Sequence, residues 1–337
     1  MIPASPHSAQ PATPPGDWRQ LWRTAVTDPR ELLDLLGLGH LAGRLPAADA
    51  GFALRVPRGF VARMRRGDPA DPLLLQVLPQ LAELDAVPGF GVDAVGDLAA
   101  RAAHGVLHKY RGRALLIASG TCAINCRYCF RRHYPYAGDI AAAAQWREAL
   151  DYLRGAPDVG ELILSGGDPL ALSTAKLAEL GQGMAGIAHL RRLRIHTRLP
   201  VVLPERIDAE FCAWLAALPQ QKVVVLHANH ANELDDAVAA ACARLRATGA
   251  VLLNQSVLLR GINDDTGVLA ALSERLFACG VLPYYLHQLD RVHGTAHFEV
   301  DDARALALVG ALRARLPGYL LPRLVREVAG DPAKRPL

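Results

Sequence analysis

From about residue 114 the chain alternates two kinds of pattern. Short apolar runs rich in β-branched and aromatic residues recur: ALLIAS (114–119), ELILSGG (161–167), RLRIHT (192–197), KVVVLHAN (222–229), VLLNQSVLL (251–259) and PYYLHQLD (283–290). Between them lie Ala- and Leu-rich stretches with helical spacing, such as AAAAQWREALDYL and ELDDAVAAACARLRATG. A repeat of roughly 30 residues is the size of a βα unit. Six in succession predict an α/β fold whose parallel sheet is closed or partly closed into a barrel. The strands read as apolar on both faces, as buried parallel strands do.

Four of these runs end in polar residues: Ser165-Gly166-Gly167-Asp168, His196-Thr197-Arg198, His227-Ala228-Asn229-His230 and His287-Gln288-Leu289-Asp290. The C-terminal ends of barrel strands are where sites are built. Any one cluster could be a helix cap; four on one rim point to a site.

The rest of the chain divides as follows. Residues 1–16, rich in Pro, Ala and Ser without a continuous apolar core, read as a flexible tail and not a secretory signal. Residues 17–105 read as a helical N-terminal region, with helices over Trp18 to Ala25 and Leu73 to Leu84, and carry no chemistry legible from pattern. Residues 106–315 form the predicted (β/α)6 barrel. Residues 316–337 begin strand-like and end in a Gly/Pro turn bearing Lys334.

Composition changes this picture little. Of 337 residues, 51% are hydrophobic and 21% charged, so a sizeable core is expected. A formal net charge of +4 lacks the concentrated basic face that nucleic acid would demand. The arginines around Arg63 and at 191–192 read as solvated faces. No run of 18 apolar residues occurs, so no membrane span is expected. Three of the six cysteines are scattered, which is no disulfide framework and fits a reducing cytoplasm.

The other three lie at C-x3-C-x2-C spacing: Cys122, Cys126 and Cys129. Zinc with His133 as a fourth ligand is one reading. The other is an iron–sulfur cluster: three thiolates hold three irons and leave the fourth open. The position just after the first barrel strand suits a reacting cofactor better than a structural metal.

C-x3-C-x-aromatic-C after the first strand, with Tyr128 in the aromatic place, resembles the radical S-adenosylmethionine (SAM) superfamily. The segments ALLIASGTCAINCRYCFRRHYPY, LILSGGDPL, RLPVVLPERI, HANHANE, NQSVLLRGIND and PYYLHQLD resemble, in order and spacing, the lysine 2,3-aminomutase family. The match runs from about residue 105 to the C-terminus. It is nearest the short branch that supplies β-lysine for modification of elongation factor P.

That resemblance implies a [4Fe–4S] cluster on Cys122, Cys126 and Cys129, with SAM on the open iron. Tyr128 would shape the adenosine pocket. Ser165, Gly166, Gly167 and Asp168 match the glycine-rich SAM motif, whose glycines would let backbone approach the SAM amino group. It implies pyridoxal phosphate (PLP) bonded to Lys334, with Arg113 contacting that cofactor and His227 and Gln255 lining the pockets. For free L-lysine as substrate, Arg131 would take the α-carboxylate, and Asp290 and Glu327 the ε-ammonium. Glu327 is a departure, since the family has aspartate there. Arg132 would be ordinary surface. The implied reaction is a radical 1,2-amino shift giving β-lysine of R configuration. An electron donor such as flavodoxin or ferredoxin and a separate elongation factor P ligase are the implied partners, and the cytoplasm is the expected location. No counterpart of the zinc-binding domain of longer members is expected. Alternatives are an aminomutase acting on arginine or glutamate, or a zinc-binding structural protein.

Overall fold

The computed structural model describes residues 17–46, 52–142 and 146–337; the expected tail, residues 1–16, lies outside the described residues. Ten strands form one sheet in chain order: β1 (Arg101–Ala103), β2 (Val106–Tyr110), β3 (Arg113–Ser119), β4 (Glu161–Gly166), β5 (Arg192–Thr197), β6 (Gln221–Leu226), β7 (Val251–Val257), β8 (Leu282–His287), β9 (Arg323–Arg326) and β10 (Arg335–Pro336). Strands β3 to β9 are mutually parallel. The six expected runs are β3 to β8, each followed by helix before the next strand, so the partial (β/α)6 barrel stands.

Both margins add antiparallel strands that the apolar runs did not announce. β1 and β2 fold back on β3, and β10 pairs with β9. These are short segments with Lys, Arg and His among their residues, so they carry no continuous apolar signal. The expected helix over 73–84 is broken into Pro72–Leu75 and a 3-10 turn at Leu81–Leu84. Pro79 lies between them and cannot donate to a helical ladder.

Local sequence explains the main helices. Thr174–Ala185, Ala209–Ala217, Asp236–Ala247, Thr266–Ala278 and Asp302–Arg313 are each entered through a Ser or Asp whose side chain accepts from the first turn: Ser173, Asp208, Asp235, Asp265 and Asp301. The helix Arg147–Arg154 is entered instead through Trp146 at φ 65°. Its indole is buried and donates to the Lys176 carbonyl at 3.2 Å.

The strands are not apolar on both faces. In β5, Leu193 and Ile195 are buried in the core, while Arg194 and His196 alternate onto the barrel interior. In β7, Leu252, Asn254 and Ser256 are buried, while Gln255 and Val257 face inward. The period-2 alternation of a strand sends successive side chains to opposite faces, so that Arg194, His196 and Gln255 reach the cavity.

The N-terminal region shares its core with the barrel: Trp18, Leu32, Phe60, Leu73 and Val77 belong to one buried cluster with Leu164, Leu226 and Leu252. Arg63 is not on a solvated face. Its side chain is buried and donates to the carbonyls of Val201, at 2.8 Å, and Glu233. It fastens residues 58–63 to the loops after β5 and β6. Among the described residues no helix is long and apolar enough to cross a membrane.

Candidate active site

The strands' C-terminal ends open into one cavity of about 280 Å³. Every residue to which the resemblance gave a cofactor or substrate role lines it: Cys122, Cys126 and Cys129; Tyr128 and Arg131; Ser165, Gly166, Gly167 and Asp168; Arg113, His227, Gln255, Asp290, Glu327 and Lys334, whereas Asn229, His230 and Gln288 of the polar strand ends do not. The fold therefore gathers into one space residues more than 200 positions apart in the chain.

The cysteine loop is held by backbone. Gly167 N–H donates to the Ser119 carbonyl at 2.6 Å, and Asp168 N–H to Thr121 at 2.8 Å. A Cβ on Gly166, at φ +112°, would stand 2.5 Å from the Ser119 carbonyl oxygen; one on Gly167 would stand 2.5 Å from that of Thr121. These glycines are thus required by the contact between the end of β4 and the cysteine loop, a nearer cause than approach to a ligand. Asp168 is committed as well. Its carboxylate accepts from the Leu170, Arg198 and Leu199 N–H groups and the Thr197 hydroxyl. Burial nevertheless pushes its pKa up to about 6.

The N-terminal region, unreadable from pattern, supplies the opposite clamp. Arg127 Nε donates to Glu83 at 2.8 Å, and Arg132 Nη2 donates to the same carboxylate at 2.8 Å. Arg132 is therefore buried structure and not ordinary surface. Asn125 N–H donates to the Arg55 carbonyl at 3.0 Å, and Arg127 N–H to that of Gln76 at 2.9 Å. Breaking a buried pair such as Arg127–Glu83 costs about 3–5 kcal/mol, because the partner is left charged and dry.

The three thiols are half-buried along one side of this cavity, and among the described residues no group of three or more His, Cys, Asp or Glu side chains is closed up as a single-ion site. Burial and the neighbouring Cys129, Asp168 and Cys126 drive the Cys122 pKa well up; burial and Cys126 push Cys129 to about 11. Three thiolates are costly there without a cationic group to ligate, which is the donor chemistry an iron–sulfur cluster meets. His133 does not join them. It is exposed, stays outside the cavity, and its Nε2 faces the His293 carbonyl at 3.3 Å. That removes the expected fourth zinc ligand.

At the far side of the cavity charges alternate. Glu327 lies between Lys334, which donates to one carboxylate oxygen, and Lys109, 3.1 Å from the other. Lys109 also pairs with Asp97 at 2.5 Å, and Asp97 with Arg131 Nε at 2.6 Å. Arg131 Nη1 reaches Ser165 Oγ at 2.9 Å. Burial raises the Glu327 pKa, but the charges of Lys334 and Lys109 outweigh it and hold it at about 2. Asp290 has no hydrogen-bond partner for its carboxyl among the described residues. Burial and the charge of Glu327 push it up to about 7.

Other polar groups stand unpaired around the same space. Arg113 makes no hydrogen bond or ion pair among the described residues and lies 4.5 Å over the Tyr110 ring. Arg194 Nε, His196 Nε2 and His287 Nε2 are buried without partners, although Arg194 Nη2 donates to Glu161 at 3.0 Å. Two guanidiniums and two orphaned imidazole nitrogens are the lining a phosphorylated polar ring would satisfy. His227 is neutral, its pKa lowered to about 3 by burial and the Arg198 charge. Its Nε2 lies 2.8 Å from the Tyr128 hydroxyl, which also donates to Gln76 at 3.1 Å.

Asp97, Lys109, Arg194, Tyr284 and Tyr285 also line the cavity and were missed, and Arg198, read only as part of a polar strand end, lines it too. Inward alternation along β5 and β8 could have found Arg194 and Tyr285. No sequence signal marks Asp97 or Lys109, since only the fold of β2 against β3 brings them in.

No family model matches the chain. Among solved structures it is similar to a radical SAM methyltransferase from Sphaerobacter thermophilus, with TM-score 0.44 and 19% identity, covering 67% of this chain and 71% of that one. Among characterised proteins it is similar to the L-lysine 2,3-aminomutase of Escherichia coli (strain K12), 48% identical over 325 residues, 95% of this chain and 94% of that one. The L-lysine 2,3-aminomutase of Haemophilus influenzae is 46% identical over 319 residues, 94% of each chain. That of Clostridium subterminale is 34% identical over 281 residues, 82% of this chain and 67% of that protein. The chain belongs to the L-lysine 2,3-aminomutase family. It is accordingly an enzyme of the aminomutase kind, an isomerase.

One consequence for this aminomutase concerns the glycine contact. Gly167→Ala forces a Cβ into the Thr121 backbone. Overpacking of this kind costs about 1–3 kcal/mol. Gly43→Ala, where nothing lies within 4 Å, is expected to stay within about 0.5 kcal/mol of wild type. Urea denaturation of the two variants checks the contrast; equal stability would remove the packing argument.

Proposed function

We propose that the chain is a radical SAM, PLP-dependent L-lysine 2,3-aminomutase that converts free L-lysine to β-lysine of R configuration. The observation that carries the reading is a single cavity with three cysteines at one side and Lys334, Asp290 and Glu327 at the other. Cys122, Cys126 and Cys129 would hold a [4Fe–4S] cluster, and SAM would take the open iron, beside Ser165 and Tyr128. Lys334 would bond PLP, with Arg113 and Arg194 on its phosphate and the pocket closed by His227, Gln255 and His287. When bound, these groups supply a hydrogen-abstracting carbon radical and a conjugated ring that spreads unpaired spin.

The chain's own residues bind, orient and exclude water. Arg131 has one edge tied to Asp97 and Ser165 and a fork suited to an α-carboxylate. Asp290, an unpaired buried carboxyl, suits a substrate ammonium, whose charge it would neutralise. Two acids at that end disfavour glutamate, whose distal group is anionic. His196 and His287 are held neutral, their pKa values driven well down, mainly by burial, so they can meet a polar ring without adding charge.

The match to the Escherichia coli and Haemophilus proteins extends over 94% of their length, against 67% for the Clostridium protein. This supports the short branch, and with it a product destined for elongation factor P through a separate ligase. The cluster's electron would come from a flavodoxin or ferredoxin, and the enzyme would work in the cytoplasm.

Anaerobic reconstitution tests the reading. The expected result is four irons and four sulfides per chain and, with reductant and SAM, β-lysine from lysine but not from arginine or glutamate. Stoichiometric zinc without iron, or isomerisation of another amino acid instead, sinks it. Lys334→Ala is expected to abolish the visible band of bound PLP and the activity together.

Asp290 gives a pH dependence with a definite sign. Its carboxyl is protonated below about 7 and must ionise to pair with the ammonium. Lysine KM is therefore expected to rise as pH falls below 7, by up to about tenfold per unit. In Asp290→Asn that limb of the KM profile should be flat. An unchanged slope in the variant would assign the titration elsewhere.

A further inference from the structure

Arg198 closes the polar strand end His196-Thr197-Arg198 and opens the segment RLPVVLPERI, but the resemblance assigns it no role. It follows β5, and its guanidinium lies against the cysteine loop with Nη1 2.7 Å from the Cys126 sulfur. Nη2 donates to Gln76 at 2.6 Å and to Glu233 at 2.8 Å. The rings of Phe60 and Tyr128 lie 5.6 and 5.7 Å from its central carbon. The backbone N–H of Arg198 is itself fixed by Asp168 at 2.7 Å. Among the described residues, only Cys126 of the three cysteines has a guanidinium donor.

Glu233 is held as firmly. Its carboxylate accepts from the N–H groups of Asn229, at 2.8 Å, and His230, at 3.0 Å, and from Gln76 at 3.1 Å. The pair is therefore a buried dipole with its positive end on a sulfur and its negative end turned away. A hydrogen bond and a positive charge at a ligating thiolate stabilise the more negative state of a cluster. Arg198 and Glu233 are both buried, so the interaction is weakly screened.

We propose that Arg198 is a positioning residue that raises the reduction potential of the cluster on Cys126. The step it biases is addition of one electron, from an external low-potential reductant, to the oxidised [4Fe–4S]2+ cluster to give [4Fe–4S]+. The inference rests on the cluster reading above.

The test is an electron paramagnetic resonance titration of the reconstituted full chain with dithionite, without SAM. Arg198→Met is expected to move the midpoint to more negative potential, with the reduced-to-oxidised ratio at the wild-type midpoint falling at least tenfold. Glu233→Gln, which leaves the guanidinium without its counter-charge, is expected to move it the other way. Arg198→Lys should recover part of the shift. A full cluster in Arg198→Met with the wild-type midpoint overturns the inference. If that variant holds no cluster, Glu233→Gln decides, and an unchanged midpoint overturns it. Wild-type protein that assembles no four-iron cluster sinks the cluster reading itself, a distinct result.

Discussion

The close passage of the β4 end against the cysteine loop is the constraint from which the site follows. Two backbones approach within a distance that leaves no room for a Cβ at Gly166 or Gly167. Hydrogen bonds from Gly167 and Asp168 then fix the loop at Ser119 and Thr121. Asp168 carries the constraint onward, since its carboxylate also fixes the start of the segment after β5. That segment presents Arg198 to Cys126. Three strand ends are thus registered to one another through a few short polar contacts, and the thiols inherit their positions from that register.

The N-terminal region completes the arrangement from the other side. Glu83, fully buried, accepts from both Arg127 and Arg132, while the carbonyls of Phe52, Ala53, Arg55 and Gln76 accept from the loop. Buried ion pairs of this kind contribute little net stability against an apolar alternative. What they provide is a defined loop geometry, because the two guanidiniums share one carboxylate and Arg132 Nη1 also donates to the carbonyls of Arg127 and Gly294. Those arginines flank the cysteines in sequence, and their partners lie some 40 residues or more upstream.

The barrel and its cysteine loop were legible because their signals are local: β-rich runs at regular spacing and three thiols in eight residues. The polar strand ends were legible for the same reason. Asp97 and Lys109 were not, because a single acid in a turn and a single lysine on a short antiparallel strand have no distinguishing neighbours. Arg132 and Arg63 were misread as surface. A charged residue is solvated by default, and only tertiary contacts reveal the carbonyls and carboxylates that bury these two. The glycine pair was legible as a motif, but its cause was not: the steric demand comes from the chain's own backbone. Glu327 looked like a distant substitution, and its two lysine partners come from opposite margins of the sheet.

Those two lysines bear on how the barrel is shut. Strands β1 and β10 bound the sheet and are not paired with each other among the described residues. Across this gap the chain of contacts Lys334–Glu327–Lys109–Asp97–Arg131 joins the segment after β9 to β2 and the cysteine loop. Gly96 also approaches Ala329 so closely that a Cβ would stand 3.0 Å from its methyl. The sheet is thus fastened along one side by ions instead of a backbone ladder. A ladder would be indifferent to cargo. An ionic fastening is not, because a charged molecule entering the cavity competes for the same lysines and carboxylates. Occupying this barrel and altering the tension across its gap are therefore one physical event.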